Sequence, residues 1–148
     1  MRYRLYAFDD ERFPGISGLR VRMESPLKSP LNPIVSRGEP GAPDARRAQC
    51  AAVLREERRW RMWYVAHDEE GQGRVALAES DDGLHWHKPH LGLVDYRGNR
   101  QNNLVAAQPG LNTVSVIHCP DAPAPHRYVL VGEDMRHWRG WTLAGPSC

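Results

Sequence analysis

The sequence predicts an all-β fold on three observations: a two-residue alternation of side chains, a polar reversal closed by glycines, and the recurrence of both further along the chain. Trp60, Met62 and Tyr64 alternate with Arg61, Trp63 and Val65, and Val75, Leu77 and Glu79 alternate with Ala76 and Ala78. Successive strand side chains point to opposite faces, so this period belongs to sheet and not to helix. Between the two runs, His67-Asp68-Glu69-Glu70-Gly71-Gln72-Gly73 is polar, and its glycines accept positive φ, so the chain reverses into an antiparallel hairpin. Arg127 to Asp134 then reads like Arg59 to Asp68, and Trp141 to Ala144 like Val75 to Ala78. Tyr128 follows Trp60 by 68 positions and Ala144 follows Ala78 by 66. A β unit at a nearly constant period implies the blades of a β-propeller, each an antiparallel four-stranded sheet, with about two blades present. Common blade repeats run ~40 to 50 residues, so these blades carry long loops.

Taken in order, residues 1–44 form a leading segment. Leu19 to Met23 alternates like a short strand, and the prolines at 26, 30 and 33 exclude helix and central strand beyond it. Residues 45–97 make the first blade. Its inner strand begins at Ala51-Ala52-Val53-Leu54, the hairpin follows, and Asp81-Asp82-Gly83 supplies an Asx-type turn over which Trp86 folds back. Lys88 to Tyr96 leaves along the outer edge. Residues 98–148 make a second, incomplete blade of the same domain, with Thr113 to His118 as inner strand and Pro120 to Pro125 as a rigid loop.

Composition narrows the function classes. Hydrophobic residues at 41% and charged residues at 26% are those of a globular domain. No run approaches the ~20 apolar residues of a membrane span, and Met1-Arg2-Tyr3-Arg4 leads into no signal-peptide core, so a soluble cytoplasmic protein with no membrane partner is expected. The net charge is +2, with only Lys28 and Lys88 as lysines. Arg55, Arg58, Arg59 and Arg61 with Trp60 and Trp63 have the composition of a base-stacking platform. In a strand they fall on both faces beside Glu56 and Glu57, so no nucleic-acid partner is expected. Cys50, Cys119 and Cys148 are odd in number and lack CxxC spacing, so neither a disulfide framework nor a zinc site is signalled. His85, His87 and His90 crowd a corner beside Trp86 without helical spacing; packing or solvent is their expected role, and no metal or cofactor is expected.

NPIV near the start, RMWYVAHD, ALAESDDGLHWHKPHLGLVDYRGNRQNNLV and CPDAPAPHRYVLVGED together carry a resemblance. The chain resembles the N-terminal part of the glycoside-hydrolase-like five-bladed β-propellers of the invertase, levanase and arabinanase superfamily. The nearest likeness is to a bacterial branch with S-x-DG-x-HW corners and a KPxLGLxxYxGxxxNNxV segment. The SDDGLHW corner is also close to the sialidase Asp-box, but Gly83 comes one place too early after Asp82, which ranks that family lower.

The resemblance implies carbohydrate as partner and a set of carboxylates around an axial funnel. It places a nucleophile or base before the first inner strand, a stabilising aspartate before the second, and an acid glutamate in a third blade. Glycosidic cleavage requires two such carboxyls in opposed protonation states. Asp44 is the only carboxylate near the first position, since Gln49 and Cys50 directly precede the strand. Asn112 stands where the second aspartate belongs, and an amide does not ionise. A full ring requires roughly three more blades, and the chain stops at Pro146-Ser147-Cys148, so an incomplete, inactive fragment is expected. Saccharide binding is expected of Asn102, Asn103 and Asn112 and of the hairpin-loop residues His67, Asp68, Glu69, Glu133 and Asp134, which in a propeller project toward one mouth of the axis. Trp60, Trp63 and Trp86 suit between-blade core better than sugar platforms. The competing reading is a non-catalytic propeller that binds glycan or protein. Two blades leave sheet faces uncovered, so self-association is expected as well.

Overall fold

The computed structural model describes residues 25–123, 126–134 and 139–143, with the backbone alone for Cys50, Asp134 and 139–143. The chain divides into two compact units, Met1–Pro30 and Leu31–Cys148. In the first, residues 25–30 are exposed and carry neither helix nor strand, and the strand expected over Leu19 to Met23 lies outside the described residues.

Among the described residues the second unit holds six strands: β1 (Arg47–Glu56), β2 (Arg59–His67), β3 (Gly73–Ser80), β4 (Leu111–His118), β5 (Tyr128–Asp134) and β6 (Arg139–Leu143). They form two antiparallel sheets in the orders β1-β2-β3 and β4-β5-β6, with no helix among the described residues. Both expected hairpins are present. The first pairs Trp60 with Ser80 through His67 with Gly73, and the second pairs Leu130 with Leu143 through Asp134 with Arg139. The inner strands begin before the apolar runs that signalled them. Each contains a bulge near its start, between Cys50 and Ala52 in β1 and between Leu111 and Thr113 in β4.

Each sheet has three strands rather than the expected four, and the sheets do not close on themselves among the described residues. Along β3 the place of a fourth strand is taken by two isolated bridges, Glu79 with His87 and Ala76 with Leu104. The interruption has a chemical cause. Pro89 cannot donate to a ladder, and Gly92 and Gly98 adopt φ of 69° and 80°, so the chain leaves the edge after His87. It returns where the Leu77 amide donates to the Asn103 carbonyl and the Val105 amide donates to the Val75 carbonyl, both at 2.9 Å.

The alternation read in the sequence sorts the core into two layers. Met62, Tyr64, Ala66, Ala76 and Ala78 face Val94, Tyr96 and Leu104, with Ile34 and Val35 of the NPIV segment packed against them. Trp63, Val65, Val75 and Leu77 face Leu111 and Val114 of the second sheet. The first sheet is thus covered on both sides, and each large apolar side chain enclosed this way contributes about 1.5–3 kcal/mol. The sheets meet most closely at Gly73, where an added Cβ would stand 1.9 Å from the Leu111 carbonyl oxygen.

One cysteine expectation is corrected: Cys119 is disulfide-bonded, its partner lying outside the described side chains. Pairing depends on where two Cβ atoms meet in space, which an odd count and absent motif spacing do not reveal. No helix among the described residues is long and apolar enough to cross a membrane.

Candidate functional site

The Ser80-Asp81-Asp82-Gly83 corner closes on itself. Asp82 Oδ1 accepts from the Leu84 and His85 amides at 2.8 Å, Ser80 Oγ accepts from the Gly83 amide at 2.9 Å, and Trp86 Nε1 donates to the Gly83 carbonyl at 3.0 Å. The His85 side chain, then the two amides, hold the Asp82 carboxyl well below the usual carboxylate range. Trp86 and the corner are therefore framework.

The expected acidic and amide residues are mostly framework too. Asp44 is 3% exposed, and its Oδ2 accepts from Lys88 Nζ at 2.5 Å and from the Tyr64 hydroxyl at 2.9 Å. Asn103 Nδ2 donates to the Tyr64 oxygen and to the Leu77 carbonyl, each at 2.7 Å, which ties the 98–105 linker to the same network. Burial, then the Asp44 charge, pushes the Tyr64 hydroxyl far above its ordinary value, so it stays a donor. Asn102 bonds the Val94 and Asn99 carbonyls and accepts from the Leu104 amide. Asp68 closes the hairpin loop, accepting from the Gln72 amide and from Arg74 at 2.7 Å each. Asn102, Asn103 and Asp68 thus each satisfy backbone groups, a commoner use of Asn and Asp than ligand binding, while Asp44 is paired with side chains.

His67 and Asn112 are brought together. At the start of β1, the end of β2 and the bulge of β4, a recess of about 400 Å³ is lined by Arg46, Arg47, His67, Gly71 and Asn112. Bulges re-aim side chains, and Asn112 is the extra residue of the β4 bulge. Its carbonyl accepts from Gln49 Nε2 at 3.4 Å, a bond from sheet to sheet. Arg47 Nη2 lies 3.0 Å from His67 Nε2. Burial first, then the charges of Arg47 and Arg46, hold the imidazole below its ordinary pKa, so at neutral pH it is uncharged and Nε2 accepts from the guanidinium. Glu69 is exposed and accepts from the Gly41 amide, and Glu133 accepts from the Thr113 hydroxyl at 3.3 Å; neither lines the recess. The Asp134 side chain lies outside the described residues.

A second concavity, about 850 Å³, opens at the far end of the same strands and is lined by Arg55, Glu56, Arg61, His118 and Tyr128 among others. It joins the sheets rather than waiting for a ligand. Arg61 pairs with Glu56 at 2.7 Å and with Glu79 at 3.1 Å. The Tyr128 hydroxyl donates to Glu56 and accepts from Arg61, and its ring stacks on His118 with centroids 5.1 Å apart. No group of three metal-ligating side chains occurs among the described residues.

Sequence reasoning missed Arg46, Arg47 and Gly71 at the recess. The signal was present in the paired arginines immediately ahead of the first inner strand, which composition alone dissolved into a general arginine habit. No protein-family profile, curated protein or solved structure matches the chain.

Proposed function

We propose that this chain is the carbohydrate-recognising part of a glycoside-hydrolase-like β-propeller and that it holds saccharide without cleaving it. The observation that carries the reading is where the carboxylates are. Asp44 and Asp68 are enclosed and paired with Lys88 and Arg74, while the recess presents guanidinium, neutral imidazole and amide groups. Hydrolysis requires a protonated and an ionised carboxyl roughly 5 to 9.5 Å apart across the sugar, and no carboxylate among the described side chains lines this recess. The Asn112 side-chain amide offers both donor and acceptor capacity, which suits sugar hydroxyls, while neutral His67 is held against Arg47 and positions its guanidinium. The two sheets correspond in this reading to two blades, with His87 and Leu104 standing where the fourth strand of the first would run.

Titration of the full chain with a saccharide panel by ligand-observed NMR, beside an aryl-glycoside hydrolysis assay, tests this. The expected outcome is binding that is lost in Asn112→Ala and His67→Ala with the fold retained, and no aryl alcohol released above background. Hydrolysis that disappears in both Asp44→Asn and Glu133→Gln would overturn it, as would a panel with no binder.

A second reading, self-association through a sheet face, is favoured by Ile117 and Val131, 51% and 39% exposed on the same side of β4 and β5. Concentration-dependent sedimentation that Val131→Lys abolishes is its expected signature. A constant monomeric coefficient would remove it.

A further inference from the structure

Elsewhere in the second unit Arg59, Arg61, Arg74 and Arg97 are paired with carboxylates, whereas Arg37, Arg55, Arg58, Arg100 and Arg127 have no carboxylate partner among the described residues. Arg46 and Arg47 also lack a carboxylate partner among the described residues, and what sets them apart is that both line one recess together with Asn112. A guanidinium carries five N–H donors in a rigid fork. Arg47 uses Nη2 toward His67, and Arg46 lies over Gly71, where an added Cβ would stand 2.9 Å from Nη1. Most of the donors on both therefore remain available to a guest. Burial first, and then the charges of Arg47 and Arg46, lower the pKa of the His67 ring, so the imidazole adds no further positive charge to the recess wall. Two forks without counter-ions beside an amide form a site for a group that is planar, anionic and attached to a hydroxylated ring.

The geometry points to an anionic saccharide, one whose ring bears a carboxylate, as the ligand of this recess, with Arg46 and Arg47 taking the carboxylate and Asn112 a neighbouring hydroxyl. The assignment rests on the saccharide-holding reading above and sharpens it to a ligand class. A volume of about 400 Å³ lies within the range of small-ligand sites. Closeness of the Arg46 side chain to Gly71 makes the hairpin loop part of the site, so a side chain introduced at Gly71 would crowd the arginine that reads the charge.

The test titrates the full chain with trigalacturonate, with the neutral trigalactoside of the same linkage, and with sodium sulfate alone. Trigalacturonate is expected to bind about tenfold or more tighter than the neutral sugar, the equivalent of one charge-assisted contact. Arg46→Gln and Arg47→Gln should each bring it toward the neutral level, and Arg100→Gln, on an exposed loop, should leave it unchanged. Thermal midpoints of the variants, expected to match the parent, separate lost recognition from lost fold. Equal affinity for the two sugars would overturn the charge assignment while leaving saccharide recognition in place. Sulfate displacing trigalacturonate mole for mole would reduce the site to an ion site and overturn it as well. Binding of neither sugar would remove both readings.

Discussion

The two ends of the β1–β2–β4 junction use the same side-chain chemistry to opposite ends. At the Glu56 end, arginine, tyrosine and histidine meet carboxylates and are consumed: Arg61 bonds Glu56, Glu79 and Tyr128, and His118 stacks on Tyr128. At the Arg47 end the nearby carboxylates turn away, Asp68 into its own loop and Asp44 onto Lys88, so the two arginines are left without a carboxylate and His67 stays buried against Arg47. What a residue is for is decided less by its type than by whether an opposite charge lies within reach of it. Concavity alone misleads here, because the larger hollow is occupied by the Arg61–Glu56–Tyr128 network, although Arg55 and Arg127 on its wall have no carboxylate partner among the described residues.

The sharpest way to break this contrast is to disturb the joint that both ends share. Gly73→Ala places a Cβ against the Leu111 carbonyl, and overpacking against backbone costs about 3 kcal/mol; the urea midpoint should drop sharply, and an unchanged midpoint would mean the sheets do not meet there. Asp44→Asn leaves Lys88 without its charge partner. Because Lys88 is partly exposed, the loss is smaller than for a fully buried pair, about 2 kcal/mol, and Lys88→Met in the same chain should recover most of it. Tyr128→Phe removes one hydroxyl from the saturated end while Arg61 and Glu56 keep each other, so about 1 kcal/mol is expected. Arg47→Gln at the open end should change stability by no more than about 0.5 kcal/mol. A large loss there would show that Arg47 is framework and would erase the contrast.

Acid titration sharpens the same point. His67 has a folded pKa below its ordinary 6.5, so below that pH the unfolded chain binds the extra proton first. Its contribution is complete above pH 6.5 and is lost as pH falls toward the folded value. In His67→Gln that part of the decline in stability with acid should disappear; an identical decline in both chains would mean the imidazole is not held neutral.

Much of the fold was legible because the period-2 pattern is a property of neighbours. Trp60 to Val65 and Val75 to Glu79 announced which face each residue takes, and the second hairpin followed from likeness to the first. The edge of β3 was not legible, since whether Lys88 to Tyr96 pairs along its whole length depends on Pro89, Gly92 and Gly98 acting together. The site was half legible. His67 at the end of β2 and Asn112 in the β4 bulge meet at the recess through a fold contact that no local pattern announces, and Asn102 and Asn103 turn inward because linker carbonyls and the Tyr64 hydroxyl claim their amides. Nothing local in the sequence says that Asp44 meets Lys88, 44 positions away.

The excursion between His87 and Leu104 returns to the strand it left, and its tip is a two-residue reversal in which Arg97 and Gly98 both adopt positive φ between Tyr96 and Asn99, which bridge one another. Because both feet are fixed to β3, lengthening the tip costs the exposed pairing of Arg97 with Glu69 and Glu70 and a closure entropy that rises by about 0.6 kcal/mol for each doubling of the loop's length. The Arg97–Gly98 bond is therefore the natural place to graft a reporter peptide or a second binding domain, a handle that disturbs the exposed Arg97 pairing with the hairpin loop and leaves both sheets in place.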